Sequence, residues 1–152
     1  MAVFWFGWGK KLKNALTKKQ ADGLYLPKSF AAEISLKEVS LNTTLSHNSL
    51  ITKRNLGIDF DKPFIVRYTW IDPLNTNLQA GHSFVVNAIP NEWNFGATNL
   101  KYNASNNSIE KMNGDFVLGV CVVDENTVKF KASCINNNYR ITNISLTGYP
   151  KK

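Results

Sequence analysis

The sequence predicts an all-β protein, an antiparallel β-sandwich or jelly-roll-like barrel, entered through an N-terminal arm of aromatic and basic residues with a helical period in its basic part. Three observations predict it. Five runs of strand length, rich in β-branched and aromatic residues, lie between residues 64 and 148 and are bounded by turn formers. No helical period of any length interrupts residues 61–150. Asn occurs 19 times in 152 residues and Ser plus Thr another 20 times. Asn suits turns, where it tolerates left-handed backbone, and is depleted in helix and strand interiors. The length is that of one domain plus an arm, ample for a single buried core. The chain therefore divides into an arm and linker over residues 1–27 and a β-domain over residues 28–152.

The arm comes first. Phe4, Trp5, Phe6 and Trp8 are four of the chain's 18 aromatics, and Lys10, Lys11, Leu12, Lys13, Leu16, Lys18 and Lys19 follow. On a helical projection Trp5, Trp8, Leu12, Ala15 and Leu16 share about a quarter of the circumference, with Lys10, Lys13 and Lys18 pointing away. Three roles suit such a segment: docking into a larger assembly, contact with a membrane interface, and packing on the chain's own domain. Docking is favoured, because Trp and Phe are common interface anchors and Gly7 and Gly9 permit close backbone approach. The docking residues are then Phe4, Trp5, Phe6, Trp8, Lys10, Lys11, Leu12, Lys13 and Leu16. A secretory signal places its charges before its apolar run, the reverse of this order.

Charge follows the same division. The chain has 18 Lys+Arg against 11 Asp+Glu, a formal +7. Residues 1–20 hold five lysines and no acid, whereas residues 21–152 hold 13 Lys+Arg and 11 Asp+Glu, the difference equalling Lys151 and Lys152. A nucleic-acid groove needs a concentration of basic residues that the body does not show along its sequence, so no specific nucleic acid is expected as a partner. No run of 18 apolar residues exists to span a bilayer as a helix.

After the arm, Gly23 and Pro27 break the helical pattern. Residues 28–60 are ambiguous: Ile34, Leu36, Val39 and Leu41 fit a strand with a bulge at Lys37–Glu38, and a short helix also fits. From Pro63 the strands are clear, over residues 64–71, 82–89, 116–123, 127–135 and 139–148. The second pair reads as a hairpin turning at Glu125 and Asn126. Its returning strand sets Val128, Phe130, Ala132 and Cys134 on one face and Lys129, Lys131 and Ser133 on the other. In the last run the alternation passes through Ile141 and, after a shift, Ile144 and Leu146.

Candidate chemistry is sparse. A two-residue turn at Glu125–Asn126 pairs Cys121 with Phe130, which leaves Cys134 on the same face but roughly 13 Å away, too far for a disulfide. His47 and His82 have no neighbouring ligand pattern, so neither zinc nor any other metal or cofactor is expected. Asp59 and Asp61 are a weak calcium hint and more commonly a solvated turn before Pro63. Phosphate-loop, dinucleotide, nucleophile-elbow and zinc-protease motifs are absent. Four N-glycosylation triplets, at Asn42, Asn103, Asn106 and Asn143, are the number that chance produces in so Asn-rich a chain. The stretch 91–96 reads as a polar loop in which Trp93, Asn94 and Phe95 suit stacking on sugar faces and hydrogen bonding to their hydroxyls. The plainer reading has Trp93 and Phe95 capping the end of the core.

Residues 21–27, with Asp-Gly-Leu-Tyr at their centre, and residues 139–149 resemble segments of small bacteriophage virion appendage proteins of the head-fibre or tail-fibre kind. The resemblance covers about 20 residues. It implies a non-enzymatic virion protein, commonly a homotrimer, whose arm docks into a capsid, portal or tail and whose β-domain serves adsorption or fibre attachment. The alternative is a secreted or membrane-surface effector, with a lipid-binding arm and a glycan-binding body.

Overall fold

A computed structural model describes residues 35–152, and the anchoring arm expected over residues 1–27 lies outside the described residues. The described chain is all-β, one antiparallel sheet curled on itself. Its strands are β1 (Lys37–Ser40), β2 (Leu45–Ser46), β3 (Leu50–Arg54), β4 (Phe64–Asp72), β5 (Asn75–Val86), β6 (Trp93–Asn103), β7 (Ser108–Asp124), β8 (Thr127–Ser133) and β9 (Arg140–Gly148). The order across the sheet is β1-β9-β4-β5-β6-β7-β8-β3, with β2 also on β9. Strands β4 to β8 thus form a meander, and β9 returns beside β4.

The curl brings the sheet's two ends together through the segment that carries β2 and β3. Leu45 and Ser46 pair with Ile141 and Arg140 of β9. Within three residues the chain has crossed to β8, where Asn48 N–H donates to the Ala132 carbonyl at 3.0 Å and Ala132 N–H to that of Ser49 at 3.0 Å. Further on, Ile58 bridges Pro150, and Lys151 N–H donates to the Gly57 carbonyl.

Alternation explains the core. Phe64, Val66, Tyr68 and Trp70 of β4, Phe116, Leu118, Val120 and Val122 of β7, Val128, Phe130 and Ala132 of β8, and Ile141, Ile144 and Leu146 of β9 all point inward and are buried. The Trp70 and Phe116 rings stack at 4.0 Å, with Tyr139 edge-on to both. Burying these apolar surfaces is the main term holding the curl closed.

One seam is open. β5 and β6 pair only at Leu78–Asn103 and Gln79–Tyr102. Beyond that point side chains replace the ladder. The Tyr68 hydroxyl lies between the Gly96 and Phe116 carbonyls, at 2.9 and 2.8 Å, and Trp70 Nε1–H donates to the Leu100 carbonyl at 3.0 Å. Burial pushes the Tyr68 phenol far above its ordinary value, so it stays a donor.

Several expectations change. β1 is regular, pairing Lys37–Ser40 with Gly148–Ser145 without a break, and Leu36 lies before it and exposed, so no bulge falls at Lys37–Glu38. The strand expected over 82–89 begins at Asn75 and ends at Val86. Stretch 91–96 is not a loop, because β6 starts at Trp93. In the β7–β8 hairpin Asp124 does pair with Thr127, but a register shift between Val122 and Asp124 pairs Cys121 with Lys129. The extra residue, Val123, turns Cys121 to the outer face, whereas Cys134 packs in the core. The two thiols therefore lie on opposite faces.

Candidate functional site

The outer face of β6, β7, β8 and β3 carries the feature that the core does not explain. Trp93 pairs with Cys121, and Cys121 with Lys129. Two residues along, Phe95 pairs with Gly119, Gly119 with Lys131, and Lys131 with Leu50. Paired residues share a face, so these two rows lie side by side on the outer face of the curled sheet. Trp93, Phe95, Gly119, Lys131 and Leu50 of these rows, with Val117, Ser133 and Asn48, line a groove of about 520 Å³, and Cys121 and Lys129 lie beside it on the same face.

Each column has its own chemistry. The β6 column is aromatic: the Trp93 and Phe95 rings are near-parallel, 15° apart with centroids at 6.2 Å, and Phe95 is 63% exposed. The β7 column is small, so the floor is low. A Cβ on Gly119 would stand 2.9 Å from Phe95 Cε1 and 3.2 Å from Trp93 Cε3, which shows that both rings lean over that glycine. Cys121 beside it is buried, and burial pushes its thiol above the ordinary range while the Lys129 ammonium pulls the other way. The β8 column is cationic, with Lys129 and Lys131. Among the described residues neither lysine forms an ion pair, and no carboxylate lines the groove.

Of the sequence-predicted binding residues, Trp93 and Phe95 are brought together here and Asn94 is not. Asn94 pairs with Val120 on the inner side, where its Oδ1 accepts from Asn87 N–H at 3.1 Å and its Nδ2 donates to the Glu92 carbonyl. The predicted docking residues Phe4, Trp5, Phe6, Trp8, Lys10, Lys11, Leu12, Lys13 and Leu16 lie outside the described residues. Sequence reasoning missed Leu50, Val117 and Gly119. It did place Lys129, Lys131 and Ser133 on one face, but reading 91–96 as a loop hid the aromatic strand two columns away.

The remaining candidates are occupied in other ways. His47 Nδ1 accepts the Cys134 backbone N–H at 3.1 Å. Asp59 binds Lys62 Nζ at 2.8 Å and the Asp61 N–H, and both contacts hold its carboxyl below the ordinary range. Among the described residues no group of three His, Cys, Asp or Glu could hold a metal ion, and no helix is long and apolar enough to cross a membrane. No family model, curated protein or solved structure matches the chain.

Proposed function

We propose that this chain is a non-enzymatic attachment protein, whose β-domain holds a ligand on the outer face of its curled sheet while residues 1–27 tether it to a larger assembly. One observation carries the reading: two aromatic rings, Phe95 exposed and Trp93 half-buried, lean over a glycine floor in a groove of a size that holds small ligands. Rings left outside a core that already buries Trp70, Tyr68, Phe116 and Phe130 serve recognition better than stability. The groove offers rings, an ammonium group, an amide and a hydroxyl, which suits holding a molecule more than transforming one. The virion is the setting implied by the sequence resemblance, the arm docking in capsid, portal or tail.

The two halves of the proposal separate in one experiment. Deleting residues 2–20 is expected to abolish incorporation into particles while the purified protein keeps its ligand. Phe95→Ala is expected to leave incorporation intact and reduce adsorption to the target surface. A truncated protein that still incorporates, or a Phe95→Ala variant that adsorbs normally, defeats the corresponding half. Co-sedimentation with anionic and neutral vesicles tests the membrane role of the arm, for which the docking reading expects little binding once the protein is assembled.

A further inference from the structure

The geometry points to an acidic glycan as the ligand of this groove, its sugar faces laid on Trp93 and Phe95 and its carboxylate or sulfate groups held by Lys129 and Lys131; this rests on the attachment reading above. The argument is the repeat of the two rows. Trp93–Cys121–Lys129 and Phe95–Gly119–Lys131 each set out a ring, a small floor residue and an ammonium group in that order. Rows two residues apart on a strand repeat at about 7 Å, and columns two strands apart stand roughly 10 Å from each other. A chain lying along β7 would thus have a ring wall on one side and a cationic wall on the other, twice over. A polymer with one ring per unit and recurrent anionic groups is complementary to both walls.

Charge sets the choice of anion. Lys131 lines the groove and Lys129 stands next to it on the same face; neither has a carboxylate partner among the described residues, and the groove lining contains no carboxylate. A hydroxyl-bearing ligand is matched by Ser133 and Asn48 at the groove's other end. Single-stranded nucleic acid also combines rings with anions, but its affinity accumulates over many phosphate contacts. Here the cationic column is two residues long. Glu92 precedes Trp93 at one end and Asp124 and Glu125 form the adjacent hairpin turn, while the next row, Ala97–Val117–Ser133, carries no cation. The short track favours a glycan held by stacking and a few charges.

The test uses the full chain, titrated with oligosaccharides of alginate, hyaluronan and polysialic acid, with neutral oligomers of chitin and dextran, and with oligo(dT). Binding is read by calorimetry and by the change in tryptophan fluorescence, assigned to Trp93 by its loss in Trp93→Phe, at low and high salt. At least one acidic oligosaccharide is expected to bind, more weakly at high salt. Lys131→Gln should lower its affinity roughly tenfold or more, as loss of a charged hydrogen bond does, with Lys131→Arg restoring most of it. Phe95→Ala should abolish the fluorescence change, and unchanged melting of all variants shows the fold intact. Equal affinity for neutral oligomers, lost in Phe95→Ala and indifferent to Lys131→Gln, overturns the acidic ligand and leaves the attachment groove standing. Tighter binding of oligo(dT) overturns it in favour of nucleic acid. No binding to any probe removes both readings.

Discussion

Every non-glycine residue with positive φ among the described residues is an asparagine: Asn42, Asn48, Asn55, Asn91, Asn107 and Asn143. The excess of this residue in the sequence therefore has a local cause, since the left-handed region costs other L-residues roughly 1–2 kcal/mol and Asn less. Asn143 is the most informative, because it lies inside β9 rather than in a turn. With φ at 50° it forms the irregularity where the β4 register jumps from Arg67–Ser145 to Thr69–Thr142, and this is the shift visible in the sequence between Ile141 and Ile144. Asn143→Ala is expected to destabilise the protein by about 1 kcal/mol, and Asn143→Gly to be close to neutral. Urea denaturation of both variants checks this; equal losses would mean that the side chain, not the backbone angle, matters. At this scale the sequence was readable, because conformational preference is a property of the residue itself.

Elements were readable where one face is apolar and the other polar, or where both are buried. β4, β8 and β9 alternate inward and outward, and the unbroken apolar run of β7 reflects burial on both sides, the outer one beneath Trp93 and Phe95. β6 reverses the usual pattern and was unreadable for that reason. Its rings point outward, while Asn94, Gly96 and Thr98 face the inside of the curl. An inward glycine is tolerated because another strand supplies the missing volume: a Cβ on Gly96 would fall 2.1 Å from Cδ1 of Phe84, whose ring fills the open β5–β6 seam. Gly96→Ala is expected to push that ring aside and cost roughly 1–3 kcal/mol, in the manner of an overpacked core. Thermal unfolding is the measure, and an unchanged midpoint would show that the seam is loosely filled. The bulge at Val123 was equally hidden, since one added residue leaves the composition of a hairpin unaltered while exchanging the face on which Cys121 lies.

The whole molecule depends on its last strand. β9 contacts β1, β2 and β4, and contributes Ile141, Ile144 and Leu146 to the core. β1 pairs with it across more than a hundred residues, Lys37 opposite Gly148. A chain ending at residue 139 is expected to lose cooperative unfolding altogether, not merely some stability, because an interior strand of the sheet is missing. Circular dichroism under urea decides this: a sharp transition in the truncated protein would place the folding unit in the β4–β8 meander alone. The sequence indicated the all-β class through its strand runs, but not the strand order, because pairing between distant segments leaves no local trace. The groove was hidden for the same reason, being assembled from β3, β6, β7 and β8.

The placement of β9 also has a consequence for biosynthesis. Translation delivers residues 37–46 about a hundred residues before their partner strand, residues 140–148, emerges. At elongation rates of about 5–20 residues per second, β1 and β2 spend several seconds outside the ribosome before closure can occur, and the free side of β4 is exposed after the meander has formed. Unpaired edges of that kind template pairing between chains. On polysomes, where nascent copies crowd together, the protein passes through its most aggregation-prone moment just before β9 emerges, and the curl closes only once that strand is delivered.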